Sequence, residues 1–361
     1  MAPDRRPDRQ AAVRRGLGPA ALDALLITHL PNIRYLTGFS GSAGVLLLSL
    51  ERTLLLTDSR YAVQAPDQVG SCGEVVVEPT DTAKRLKALL ADFHPAVLGF
   101  ERDRMTVAGA ERLRESFGGR LEPVEGLVEA ERISKDEGEV AALGRAAQLA
   151  AAAVDALLPA IRPGDSETRV AGRLEAELRE RGSEGHPFPA IVASGPRSAL
   201  PHAGTSGRPV GRSELLLLDF GAQVDGYCAD LTRTVVVGPA DDRQREVYAA
   251  VLEAQREALT RIRAGMTGRE ADATARRILE RRGMGAAFGH SLGHGLGLEV
   301  HENPRLSRTA ETPLPLGAVV TVEPGAYFEG WGGIRLEDDA LLTSTGLDPL
   351  SPLAPFLLEL T

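Results

Sequence analysis

The sequence predicts an α+β protein of two domains, an N-terminal α/β domain followed by a larger one in which helix pairs alternate with groups of strands. Three observations predict this. Short apolar runs alternate with helix-spaced ones up to about residue 130. The composition changes at ERISKDEGEVAAL, residues 131–143, where a long alanine-rich stretch begins. Beyond it the order is two helices, a strand hairpin, two helices and further strands, which is not the βαβ array of a dinucleotide-binding fold. The length of 361 residues also suits two domains.

Residues 1–14 read as a flexible tail, because the basic stretch DRRPDRQAAVRR precedes any periodic pattern. The first domain spans 15–131. Its runs LDALLIT (22–28), GVLLLSL (44–50) and TLLLTD (53–58) are bounded by Gly, Asp, Asn or Arg, as buried strands are. DTAKRLKALLADF places Leu86, Leu89 and Leu90 on one helix face, with Asp81 available as its cap. AVLGF (96–100) reads as a strand and TVAGAERLRESF (106–117) as a helix. The second domain spans 132–361. Asp136 caps a helix that Pro163 and Gly164 are expected to end, and 166–182 supplies the next. FPAIVASG (188–195) is a strand, and 213–238 reads as two strands joined by a polar turn at 223–226. Helices over 242–262 and 268–283 follow, then the β-patterned GAVVTVEPGAYF and GGIRLEDDALLT.

Composition narrows the function classes. A net charge of -9 opposes a long contact with nucleic acid phosphates or anionic lipid. Charged residues at 25% and a mean hydropathy of -0.10 are those of an ordinary globular protein. Two cysteines, Cys72 and Cys228, form no CxxC and fit a reducing compartment. No signal-like N-terminus and no run of 18 apolar residues is present, so a cytoplasmic protein without a membrane span is expected. No GxGxxG or GxxxxGKS loop offers a phosphate cradle.

The chemistry concentrates beyond residue 218. Asp219 closes a run of four leucines, which puts a carboxylate at the end of a strand expected to be buried, where a charge needs a partner. Asp230 lies past the polar turn, so a hairpin can bring the two together. Alone, the pair could equally be satisfied by backbone donors. Of seven histidines, His290, His294 and His301 fall within twelve residues, among glycines that permit close backbone approach. His294 with two or more carboxylates is a nitrogen and oxygen donor set suited to Mn, Zn, Co or Fe. Glu323 and Glu337 each follow apolar β-like residues, and read singly each is an ordinary strand-end carboxylate. Arg335 stands two positions before Glu337 on the same strand face, where it could orient a ligating carboxylate. One histidine and four carboxylates offset most of the charge of two divalent ions, and such a pair can acidify a water and hold both sides of a hydrolytic transition state.

The string GHSLGHGLGLEVHE, preceded by LLLLDFGAQVDGYCADLTRT and followed by TVEPGAYF and GGIRLEDD, resembles the pita-bread metallopeptidases. That family holds methionine aminopeptidase, Xaa-Pro aminopeptidase and Xaa-Pro dipeptidase (prolidase), with the non-metal creatinase. Asp219, Asp230, His294, Glu323 and Glu337 fill its five ligand positions in order. YLTGFSGSAGVLLL (35–48) and the ERISKDEGEV junction are similar to the creatinase-type N-terminal domain of the proline-directed members, so the resemblance covers almost the whole chain.

The resemblance implies a C-terminal pita-bread domain behind a creatinase-type α/β domain, and two divalent metal ions, Mn, Zn or Co, per subunit. It implies that His301 stabilises the tetrahedral intermediate and that His202, in SGPRSALPHAG, sits near the substrate amide and leaving group. Glu323 moves the proton of the attacking water, His290 lines the pocket, and Arg335 supports the ligands. The implied substrates are proline-containing dipeptides or short peptides, cleaved at the N-terminal Xaa-Pro bond, and the implied assembly is a homodimer. An Xaa-Pro aminopeptidase acting on longer peptides and a non-catalytic peptide-binding protein of the same fold are the alternatives.

Overall fold

The computed structural model describes residues 4–351 and 356–360. They form two compact units, divided between Arg132 and Ile133.

In the first unit, helices α1 (Arg6–Leu17), α2 (Leu30–Thr37), α3 (Gln64–Val69), α4 (Thr82–Phe93), α5 (Val107–Ser116) and α6 (Leu127–Arg132) accompany one sheet. Its strands are β1 (Ala24–Ile27), β2 (Val45–Ser49), β3 (Thr53–Thr57), β4 (Glu74–Val77), β5 (Val97–Glu101) and β6 (Arg120–Val124). They lie in the order β4-β3-β2-β1-β5-β6. β1, β2 and β3 pair antiparallel, whereas β3–β4, β1–β5 and β5–β6 are parallel. Consecutive leucines of β1 to β3 are buried, as strands covered on both faces require. Asp81 caps α4 by accepting from the Lys84 N–H at 2.9 Å.

The expected flexible tail is corrected from residue 6 onward. Helix α1 buries Gln10, Val13 and Leu17. Arg6 donates to the Thr37 carbonyl at 2.8 Å, and Arg14 donates to the Ser49 carbonyl at 2.8 Å and to the Thr53 hydroxyl at 2.6 Å. Arg6, Arg9 and Arg14, which made the stretch look solvated, serve as donors to backbone carbonyls. Residues 1–3 of that expectation lie outside the described residues.

The second unit opens with α7 (Glu137–Leu157) and α8 (Glu167–Glu180). Strands β7 (Ile191–Ser194), β8 (Glu214–Phe220), β9 (Gln223–Val224), β10 (Tyr227–Cys228) and β11 (Leu231–Val237) follow, then α9 (Asp242–Arg261) and α10 (Gly268–Arg281). The remaining strands are β12 (Gly293–Gly295), β13 (Glu302–Leu306), β14 (Val319–Val322), β15 (Gly325–Phe328), β16 (Gly332–Arg335), β17 (Asp338–Leu342), β18 (Leu347–Pro349) and β19 (Glu359–Leu360). Two main sheets result, β19-β11-β8-β7 and β13-β12-β14-β17-β18, with ribbons β9-β10 and β15-β16. Each helix pair backs one sheet. Val154, Leu157, Val170 and Leu174 of α7 and α8 pack on Val192, Leu216 and Leu218. Val247, Val251, Ala275 and Leu279 of α9 and α10 pack on Val320, Val322 and Leu342.

Side chains start these helices. Asp136 and Glu139, Asp241 and Gln244, and Thr267 and Glu270 each form a reciprocal capping box, at α7, α9 and α10 respectively. Helix α7 stops at Leu157, earlier than the expected Pro163–Gly164, because Pro159 lies in the short 3-10 turn Leu158–Ala160 that follows. By length and composition the stretch Glu137–Ala160 is apolar enough to cross a membrane, yet half of it is buried inside the protein, with Ala146 and Ala147 against Ala229. The polar turn after β9 puts Asp225 at φ 50° and Gly226 at φ 79°, a two-residue type I′ hairpin.

Candidate metal centre

Antiparallel pairing of β8 with β11 puts Asp219 across from Thr232, and Asp230 immediately precedes β11. Glu337, between β16 and β17, bridges to Thr232: its N–H donates to the Thr232 carbonyl at 3.1 Å, and the Thr232 hydroxyl donates to its Oε2 at 2.5 Å. Glu323 follows β14, held by its N–H donating to the Leu292 carbonyl at 2.9 Å. His294, in β12, donates its backbone N–H to the Thr321 hydroxyl at 3.1 Å. The glycines beside it are required: a Cβ on Gly293 would stand 2.0 Å from the Thr321 carbonyl oxygen, and one on Gly295 2.1 Å from that of Asn303.

These segments share a cleft of about 660 Å3. Its wall includes His202, Asp219, Asp230, His294, His301, Glu323, Arg335 and Glu337. One ligand atom each from Asp230, His294 and Glu337 lies within 4.8 Å of the others, a spacing that could hold a metal ion. His294 Nε2 is 3.8 Å from Asp230 Oδ2 and 3.6 Å from Glu323 Oε1. Because His294 Nδ1 faces the Gly295 carbonyl at 3.0 Å, its proton belongs on Nδ1, which leaves the Nε2 lone pair toward the carboxylates. The His301 ring lies edge-on to that of His294, with centroids 4.4 Å apart.

The electrostatics of this group favour a cation. Burial, then the charges of Glu337, Asp219 and Asp339, raises the Asp230 carboxyl well above its ordinary value. Burial and Glu337 do the same to Glu323, and burial with Asp219 pushes Glu337 up to about 7. Asp219 is raised by burial even with the Arg335 guanidinium drawing it down. Burial lowers the His294 imidazole to about 3, so it is neutral and available as a ligand. Asp219 Oδ1 is buried and accepts no hydrogen bond. Crowded oxygens of one sign, one of them unsatisfied, beside a neutral imidazole fit a hard or intermediate divalent cation.

Arg335 organises the rim. It donates to Asp219, to the Thr232 hydroxyl at 2.9 Å, to the Pro201 carbonyl at 3.1 Å and to the Tyr327 hydroxyl at 2.9 Å. Burial opposes its charge, but Tyr327, Asp219, Glu337 and Glu323 around it more than restore that charge. His290 stands beside the candidate ligands, its Nδ1 3.8 Å from Glu323 Oε2. Its Nδ1 faces the Ser291 carbonyl at 2.8 Å, so Nε2 accepts from the Tyr327 hydroxyl at 3.0 Å. Arg276, paired with Asp272 at 2.7 Å, fixes this loop by donating to the Phe288 and His290 carbonyls at 2.9 and 2.8 Å. Tyr327→Phe, which removes the hydroxyl linking Arg335 to His290, is expected to weaken metal affinity or turnover about 10- to 100-fold with the fold intact, as measured by metal titration and kcat.

Thr232, Tyr327 and Asp339 were not singled out by sequence. Asp339 Oδ2 accepts the Asp230 N–H at 3.1 Å and so fixes the backbone of that residue. Only strand register reveals Thr232, and nothing in the local pattern marks Tyr327. The acidic run 337–339 was the available signal for Asp339.

Comparisons with known proteins agree with this geometry. Residues 141–344 match metallopeptidase family M24, and residues 9–134 match the creatinase/prolidase N-terminal domain. The uncharacterized peptidase YqhT of Bacillus subtilis (strain 168) is 41% identical over 335 residues, which are 92% of this chain and 95% of that protein. An Xaa-Pro dipeptidase from Bacillus anthracis superposes with a TM-score of 0.96 at 40% identity, over 98% of this chain and 100% of that one. An X-Pro aminopeptidase from Thermotoga maritima MSB8 does so with a TM-score of 0.90 at 38% identity, over 97% and 99%. The chain belongs to metallopeptidase family M24, a metal-dependent peptidase in which a creatinase/prolidase N-terminal domain precedes a pita-bread domain.

Proposed function

We propose that the protein is an Xaa-Pro dipeptidase that uses two divalent ions, Mn, Zn or Co, held by Asp219, Asp230, His294, Glu323 and Glu337. The observation that carries the reading is the buried set of carboxylates around a neutral His294, with its free Nε2 3.6 to 3.8 Å from Glu323 and Asp230. When bound, such ions acidify a water and polarise the scissile carbonyl. Glu323, on the cleft wall beside His294, takes the proton of the attacking water and passes it to the proline nitrogen as the C–N bond breaks. His301 donates to the carbonyl oxygen as it gains charge, and His202 meets the leaving amide; both are exposed residues on the same wall. Arg335 holds Asp219 and, through Thr232, Glu337 in place.

The apolar side of the cleft, with Phe188, Ile191 and Val300, suits a pyrrolidine ring. A proline amide has no N–H to satisfy, so shape can select it without a hydrogen-bond acceptor. We place the protein in the cytoplasm as a homodimer. Likeness to the Thermotoga maritima X-Pro aminopeptidase favours a second reading, release of the first residue from longer Xaa-Pro peptides. A non-catalytic peptide-binding protein of the same fold would hold no metal and turn over nothing.

The test is hydrolysis of a matched pair, Ala-Pro and Ala-Pro-Ala, by protein reconstituted with manganese, zinc or cobalt. The expected result is a higher kcat/KM for the dipeptide. Preference for the tripeptide establishes the aminopeptidase instead, and silence on both with every metal leaves the binding protein.

A further inference from the structure

The cleft wall away from the carboxylate cluster is built from one face of α8 and one extended segment. Thr168, Ala171, Gly172 and Glu175 recur at helical spacing and all line the cleft. The same lining includes Phe188, Pro189, Ala190 and Ile191, and Ile191 is the register partner of Asp219. The apolar wall therefore starts beside the proposed metal ligands. Thr168 donates its hydroxyl to the Ser206 carbonyl at 2.8 Å, which ties its end of the helix to the loop after His202. Glu175 lies two turns further on, about 10 Å along the axis.

Small residues keep that path open. A Cβ on Gly172 would meet no atom within 4 Å, so no packing demand keeps glycine at this mid-helix position. Alanine there would favour the helix by roughly 1 kcal/mol. What the glycine leaves is room in the cleft. Glu175, the last of the four along α8, is half-buried and, among the described residues, has no hydrogen bond or ion pair. The other carboxylates of the wall, Asp219, Asp230, Glu323 and Glu337, all belong to the proposed metal set. A cleft with apolar walls and one unengaged carboxylate outside the ligand group complements a long aliphatic stem carrying a cation.

We infer that Glu175 is a specificity-determining residue that selects peptides with a lysine or arginine side chain. The inference rests on the Xaa-Pro peptidase reading and names a substrate class for the same cleft. The cationic residue can stand before the proline or after it. Two matched pairs separate these positions: Lys-Pro against Met-Pro, and Ala-Pro-Lys against Ala-Pro-Met.

The readout is the cationic-to-neutral ratio of kcat/KM in wild type, Glu175→Gln and Glu175→Lys. Wild type is expected to favour the lysine peptide of one pair by about 5-fold, the size of one half-exposed ion pair. The ratio should fall to about 1 in Glu175→Gln and below 1 in Glu175→Lys. A ratio that Glu175→Gln leaves unchanged, even with both rates lowered, overturns the inference. If no Xaa-Pro peptide is hydrolysed with any metal, the reading above fails separately. Calorimetric titration of wild type and Glu175→Gln with Lys-Pro and Met-Pro then decides the role of Glu175. Tighter binding of Lys-Pro in wild type alone supports it, and equal or absent binding overturns it.

Discussion

Asp230→Ala is expected to lower kcat/KM by about 10^3-fold or more, because two-metal stabilisation of a hydrolytic transition state is worth several kcal/mol and each 1.4 kcal/mol is tenfold. The substitution removes a carboxylate from the tightest group in the site and leaves His294 Nε2 and Glu337 without their common neighbour. The backbone should stay in place, since it is the Asp230 N–H that donates to Asp339. Loss of metal measured by elemental analysis, with unchanged circular dichroism, should accompany the loss of rate. A variant that keeps both metal and rate would remove Asp230 from the proposed ligand set.

Chelation should abolish turnover and lower the melting temperature by about 5 to 10 °C. Free metal at 100 times its Kd stabilises the folded state by about 2.7 kcal/mol, and 1 kcal/mol moves a domain of this size by roughly 2 to 4 °C. The loss should depend on pH in a defined direction. In the metal-free protein, burial and mutual repulsion hold the Asp230 and Glu323 carboxyls well above ordinary values and Glu337 at about 7. Between the unfolded carboxyl values, near 4, and these raised ones, the folded state binds more protons than the unfolded state. Stability of the chelated protein therefore falls as pH rises through that window. Cations reverse the preference, since they need the carboxylates ionised. The gap in melting temperature between loaded and chelated protein should widen from pH 5 to pH 7.5, and a gap independent of pH would contradict the cluster as the metal site.

Much of this was legible in the sequence, for physical reasons that can be named. The strands announced themselves because buried β-runs must be apolar, as in LLLL before Asp219, and Asp81 and Asp136 because short acidic side chains cap helices. Asp219, Glu323 and Glu337 stood out as carboxylates directly after apolar runs, Asp230 by its place past the polar turn, and His294 by its place in a histidine cluster among glycines. What escaped depends on three-dimensional register. Thr232 supports Glu337 only because β11 passes beside it, and Tyr327 meets Arg335 only through the β15–β16 ribbon. His290 was expected to line the pocket from the resemblance alone, and no local pattern announces the contacts of its ring nitrogens with Ser291 and Tyr327. The N-terminal helix was hidden by its arginines, whose charge outweighed the Gln10, Val13 and Leu17 stripe in any reading by composition.

The candidate ligands are divided between the two halves of the second unit. Asp219 and Asp230 belong to the hairpin of β8 and β11, whereas His294 and Glu323 come from β12 and the end of β14, and Glu337 sits just before β17. A ribosome that has finished α10 has supplied two of the five candidate ligands, both of them acids, and not the imidazole of His294. Chain growth itself thus acts as a safety catch: a half-made molecule carries acidic residues but no hydrolytic centre, and cutting power arrives only when the second sheet closes on the first.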